Sequence, residues 1–204
     1  MAKSDEVPPR AGLPSLRKAA ADCRDCPLWE HATQTVFGEG TRHAKLMLVG
    51  EQPGDAEDLA GHPFVGPAGQ LLDRALAAAG IDRASLYVTN AVKHFKWEPR
   101  GKRRLHKTPA QREIEACHQW LEREISTVNP AVIVCLGATA AKALLGPAFR
   151  ITKQRGEVQR PPGLPAIVAT YHPSYLLRLT DETDKERAWG GLVADLKAAA
   201  RLAT

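Results

Sequence analysis

Three short apolar runs end on residues equipped for bond-breaking chemistry. Leu46 to Val49 delivers Gly50 and Glu51, Leu86 to Thr89 delivers Asn90, and Ala166 to Thr170 delivers His172. Phe64 lies in the glycine- and proline-rich loop that follows the first run. A carboxylate, an amide, an imidazole and an aromatic ring together suit one task. A base turned out of a nucleic acid can be stacked on a ring, read along its hydrogen-bonding edge by an amide, and helped to leave by a donor at its carbonyl oxygen. A carboxylate beside the sugar would stabilise positive charge at C1′, as in glycoside hydrolysis.

Two further groups are positioned for binding. Cysteines occur at 23, 26, 117 and 135. In a protein expected to be cytoplasmic, a C-x-x-C pair is a metal or redox signal before it is a disulfide. The 90 residues between Cys26 and Cys117 are too many for a compact zinc ribbon. One site closed by all four cysteines is expected, and thiolates suit either Zn²⁺ or an iron–sulfur cluster. The alternative leaves Cys117 on an apolar helix stripe and Cys135 in an apolar strand, both as core residues. The other group is a basic window. Of a net charge of +5, residues 93–107 hold a local balance of +6 and the rest of the chain −1. Such a patch, with Phe95 and Trp97 inside it, points to a phosphate backbone.

The elements that must carry these residues alternate. Apolar runs at 46–49, 86–89, 131–136 and 166–170 read as buried strands, and they are separated by helical stripes such as Leu71, Leu72, Ala75 and Leu76, or Ile114, Cys117, Trp120, Leu121 and Ile125. The expected fold is α/β: a single-domain sandwich with a mainly parallel four-stranded sheet flanked by helices. Open sheets of this kind bind ligands outside the carboxyl ends of their strands, where Glu51, Asn90 and His172 fall. Thr108 is the expected cap of the long helix, so the basic window reads as a loop between strand and helix. Ile151 to Val158 reads as a small irregular β excursion. With 204 residues at 44% hydrophobic, one core is expected, with residues 1–14 disordered and 15–204 forming the domain. No apolar run nears the roughly 20 residues of a membrane span, so a soluble, cytoplasmic protein with no membrane partner is expected.

At these same residues the chain resembles the uracil-DNA glycosylase superfamily, in particular its bacterial family 4 enzymes. The resemblance rests on GE-x-PG at Gly50 to Gly54, G-x-PFVG-x-AG at Gly61 to Gly69, VTN at Val88 to Asn90, HPS at His172 to Ser174, and the order of the four cysteines. It implies a 4Fe-4S cluster on Cys23, Cys26, Cys117 and Cys135. It makes Phe64 the stacking ring, Asn90 the uracil reader and His172 the contact to the uracil carbonyl, with Gly50, Gln52 and Asp55 beside the substrate. Gln52 and the run Lys102-Arg103-Arg104-Leu105-His106 further resemble the UdgX subgroup, whose KRRIH loop histidine attacks C1′ once uracil has left. By that likeness Glu51, His106 and His172 are catalytic, and Lys102, Arg103, Arg104, Lys107 and Ser174 hold DNA. The implied partner is uracil-containing DNA, single-stranded by preference, met by a monomer. Arg103, Arg104 and Lys107 are expected to keep His106 neutral by like-charge repulsion. An ordinary turnover glycosylase and a non-catalytic binder of single-stranded DNA are the alternatives.

Overall fold

A computed structural model describes residues 11–204. The helices are α1 (Leu13–Ala21), α2 (Asp55–Ala60), α3 (Pro67–Ala79), α4 (Gln111–Val128), α5 (Ala138–Leu145), α6 (Ile151–Gln154), α7 (Pro173–Arg178) and α8 (Glu182–Leu202). The strands are β1 (Glu39–Gly40), β2 (Leu46–Gly50), β3 (Tyr87–Asn90), β4 (Trp97–Arg100), β5 (Arg103–His106), β6 (Val132–Leu136), β7 (Val158–Gln159) and β8 (Ala166–Thr170). The expected disordered segment lies outside the described residues over 1–10, and its end is helical, since α1 starts at Leu13 on Gly12 with Pro14 in the first turn.

The main sheet has six strands in the order β1-β3-β2-β6-β8-β7. Its four central strands are the expected parallel ones, and register sets their ends level: Gly50 pairs with Asn90, Val49 with Cys135 and Leu136 with Thr170. The sheet is nevertheless mixed and larger than expected. β1 joins β3 and β7 joins β8, both antiparallel. Each of these edge strands has two residues, too few to show an alternation of apolar and polar positions.

Every residue of β2, β6 and β8 is buried, which is why they read as unbroken apolar runs. One face packs Leu48, Val88, Val134 and Val168 against Leu72 and Leu76 of α3 and Leu192 and Leu196 of α8. The other packs Met47, Val49, Ile133 and Ile167 against Leu121 and Ile125 of α4 and Ala140 and Ala141 of α5. A third cluster lies to the side, where Leu16 and Ala20 of α1 meet Cys117 and Trp120 of α4. Helix α4 begins two residues later than expected, with Ala110 and not Thr108 as its N-cap. The Glu113 carboxylate accepts the Ala110 N–H at 2.6 Å and closes the first turn. No helix among the described residues is long and apolar enough to cross a membrane.

The basic window is not a loop. β4 and β5 form an antiparallel hairpin separate from the main sheet, pairing Trp97 with His106 and Arg100 with Arg103. Its turn needs the left-handed conformation of Gly101, at φ +60°.

Candidate active site

The strand ends converge as the sequence implies. Gly50 has no side chain because nothing would fit: a Cβ there would stand 2.3 Å from Asn90 Oδ1 and 2.5 Å from Phe64 Cζ. The ring of Phe64 and the amide of Asn90 therefore face each other across bare backbone. Asn90 is 2% exposed, and its Oδ1 is the one buried side-chain oxygen or nitrogen without a partner among the described residues. A buried carbonyl left unpaired costs about 1–3 kcal/mol, so this atom marks a place for a ligand donor. Phe64 holds a left-handed backbone (φ 57°) that non-glycine residues seldom adopt. Two contacts fix it. Gly69 lies so close that a Cβ would stand 1.8 Å from the Phe64 carbonyl, and Arg83 donates to the carbonyls of Pro63 and Phe64 at 3.2 and 3.4 Å.

His172 closes the pocket, its ring centroid 6.1 Å from that of Phe64. The Ser174 backbone N–H donates to His172 Nδ1 at 3.1 Å, which leaves the proton on Nε2. Burial pushes this imidazole down to about 4, and the charges of His106 and Arg178 add to the effect. At neutral pH it is an uncharged N–H donor. Ser174 is thus occupied with His172 and with Arg178, whose Nη1 donates to Ser174 Oγ at 3.1 Å. Glu51 is held by its backbone, since its carbonyl accepts the Val92 N–H at 3.0 Å. One carboxylate oxygen accepts from the Thr139 hydroxyl, and the other lies 3.4 Å from His106 Nε2. Neither Thr139 nor Arg178 belongs to the sequence motifs, and only the fold brings them here.

His106 reaches Glu51 because three side chains fix the hairpin. Gln52 is buried, and its amide is taken up by the hairpin. Its Nε2 donates to the Lys96 carbonyl at 3.2 Å and the Lys107 carbonyl at 3.0 Å, and its Oε1 accepts the Lys96 N–H at 3.1 Å. The expected substrate contact is instead a clamp on both ends of the hairpin. Arg104 is likewise occupied. It donates to Asp55 Oδ1 at 2.5 Å, to the fully buried Asp58 at 2.6 Å and to Thr33 Oγ1 at 3.2 Å, and it stacks over Phe95 and Trp97. Such a fork-shaped ion pair positions a loop and leaves no free donor face for phosphate, so Arg104 and Asp55 are positioning residues here. Trp97 Nε1 donates to the His31 carbonyl at 2.8 Å.

Within the window, Lys93 is buried against Glu124, Lys96 pairs with Glu113 at 2.9 Å and Lys107 with Glu98 at 2.7 Å. Among the described residues only Arg100, Lys102 and Arg103 of the window are left without an ion pair, all exposed near the hairpin turn. The physical cause of a neutral His106 also differs from the expected one. Burial lowers its affinity for a proton, Glu51 opposes that, and Arg178 on α7 adds to it. Its neighbours on the hairpin do not contribute.

Three of the four cysteines share a cavity. Cys23, Cys26 and Cys117 line it with Lys93, His94 and Trp120. Cys135 does not. It sits on β6 between Val49 and Ala169, fully buried in the layer under α4 and α5, while the other three belong to the cluster around α1. Burial pushes both Cys117 and Cys135 to about 12, but only Cys117 feels the charges of Lys93, Cys26 and Cys23. The alternation that buries both faces of β6 makes Cys135 a small apolar core residue, and its expected place among the metal ligands is corrected.

The chain matches a family model described as the uracil DNA glycosylase superfamily over residues 37–196. It is 43% identical over 157 residues to a type-4 uracil-DNA glycosylase of Thermotoga maritima, covering 76% of this chain and 78% of that one. A type-4 uracil-DNA glycosylase of Pyrobaculum aerophilum is 38% identical over 193 residues, 88% of this chain and 95% of the relative. A type-5 enzyme from the same organism is 30% identical over 192 residues, 84% and 81% of the two chains.

Proposed function

The chain belongs to the uracil-DNA glycosylase superfamily, and from that membership we propose that it removes uracil from DNA and then remains covalently joined to the abasic site through His106. The excision half is supported by the strand-end pocket. Uracil turned out of the helix stacks on Phe64, its N3–H meets the unpartnered Asn90 Oδ1, and His172 Nε2–H donates to its carbonyl oxygen. As the bond between C1′ and N1 breaks, the electron pair leaves with uracil, which His172 stabilises as an anion. The sugar is left as an oxocarbenium ion facing the Glu51 carboxylate.

The trapping half rests on one observation: His106 Nε2 stands 3.4 Å from Glu51 Oε1. A group held beside the carboxylate that faces C1′ has the high effective concentration of an intramolecular nucleophile. The lone pair of His106 Nε2 forms the new bond to C1′, and the proton on Nδ1 is then lost to solvent. The product is a neutral N-alkyl imidazole, a poor leaving group. Uracil-containing single-stranded DNA is the proposed substrate, met by a monomer.

A turnover reading draws on the same contact. His106 and Glu51 could instead hold a water that captures the cation, as fits the type-4 relatives equally well. Denaturing gels separate the two. With the trap, wild type forms a heat-stable band of at most one DNA per protein. His106→Ser then releases uracil, leaves an alkali-labile abasic site and forms no band. Multiple turnovers by wild type, or a band surviving in His106→Ser, would refute the trap.

The same family likeness carries the proposal of an iron–sulfur cluster beside α1. The three cysteines sharing a cavity fit it, and Cys135 does not. Among the described residues no three such side chains meet closely enough for a single ion. A cluster of several irons would be held by ligands that need not converge on one point, as those of a single tetrahedral zinc ion must. The cluster would tie α1 to α4 and need take no part in breaking the glycosidic bond.

A further inference from the structure

The three cysteines leave a four-iron cluster one ligand short. We propose that His94, through Nδ1, supplies the fourth, giving a three-cysteine, one-histidine cluster in which Cys135 has no part. The inference rests on the cluster reading above and adds to it a ligand that no sequence motif named. His94 lines the same cavity as Cys23, Cys26 and Cys117. It is 5% exposed, on the segment that runs from the end of β3 toward the hairpin.

Hydrogen bonding determines which ring nitrogen is available. The Thr35 hydroxyl donates to the Ala20 carbonyl at 3.0 Å, so its only proton is committed. It lies 2.8 Å from His94 Nε2 and must accept there, which places the imidazole proton on Nε2 and a lone pair on Nδ1. Metal-bound histidines have this arrangement, with one nitrogen ligating and the other donating to a fixed oxygen. The neighbouring thiols are supplied as iron-bound thiolates are. The Lys93 backbone N–H donates to Cys117 Sγ at 3.2 Å, and Trp120 Nε1 donates to Cys23 Sγ at 3.2 Å. Lys93 and His94 are adjacent, so one short segment gives the cavity an N–H to sulfur and an imidazole. Cys135 reaches none of this.

A histidine among thiolates removes one negative charge and raises a cluster's reduction potential. The test uses the full-length protein purified without oxygen. Iron and sulfide should be present in near-equal amounts. In its paramagnetic redox state, the protein labelled with ¹⁵N-histidine should show a strongly coupled ¹⁵N nucleus by pulsed electron paramagnetic resonance, replacing the ¹⁴N signal of unlabelled protein. Cys135→Ala should keep its full iron content. His94→Cys should keep iron, lose the nitrogen signal and shift the potential to more negative values, whereas His94→Ala should lose iron. Iron with no coupled nitrogen, or iron lost in Cys135→Ala, overturns the histidine ligand and leaves the cluster reading standing. Zinc or no metal in wild type overturns both.

Discussion

The pocket at the strand ends and the hairpin above it are built by different means. Gly50 and Asn90 are a registered pair on neighbouring parallel strands, and Phe64 is fixed by backbone contact with Gly69. Their placement follows from the sheet itself, whose four central strands are buried throughout. His106 sits on a hairpin that pairs with no other strand among the described residues, and its position depends on the side chains of Gln52, Arg104 and Trp97. The first region is rigid because its backbone ladder is in the core. The second is rigid only as long as a few polar side chains keep their partners. Base removal and trapping should therefore fail independently.

Glu51→Gln is the largest expected effect, because Glu51 serves both regions. Losing the charge that faces C1′ should slow uracil release by about 10²-fold or more, and adduct formation with it. Chromatography of released uracil alongside gels checks this, and unchanged release would confine Glu51 to the hairpin. Arg104→Ala tests the other side of the contrast. With Asp58 unpaired and the hairpin loosened, trapping should slow by about 10-fold or more, since small misplacements of a reacting group are costly, while uracil release changes by no more than a few-fold.

Acid should distinguish the regions next. His106 binds a proton less readily than an ordinary histidine, so trapping should persist below pH 6.5 and fall off at a midpoint lower than that. His172 titrates near 4 when folded and near 6.5 when unfolded. Between those values the unfolded chain binds more protons, so stability contributed by His172 falls as pH drops, by at most about 1.4 kcal/mol per unit. Urea melts across that window read the slope. The smallest effect is electrostatic. Lys102→Ala and Arg103→Ala should each flatten the dependence of single-stranded DNA affinity on salt, by about 0.7 in the logarithmic slope. Arg104→Ala should leave that slope nearly unchanged, because its charge is already spent on Asp55 and Asp58.

The contrast also marks what could be read from the chain alone. The placement of Glu51, Asn90 and His172 at strand ends is legible because apolar runs announce buried strands. The clamp formed by Gln52 and Arg104 is not legible in any local pattern, because their partners lie 44 to 55 and 46 to 71 residues away. Seven cationic residues looked like one phosphate patch, yet Lys93 is 1% exposed and bound to Glu124, Thr89 and the Asn90 carbonyl. Counting cysteines places Cys135 with the other three, although the run Ala131 to Leu136 also offers an apolar home for a thiol. A lone histidine next to a strand end carries no comparable signal.

Gln52 holds the neck of the hairpin shut, and the Lys107 N–H also meets the Lys96 carbonyl at 3.0 Å. Ten residues, 97–106, thus leave and return at almost the same point. The neck, joined through Lys96 and Lys107, does not itself include His106. On the trapping proposal, a glycosylase that turns over and one that is used once would differ chiefly in this hairpin. By the same geometry, a hairpin bearing some other reactive side chain could be grafted onto the neck.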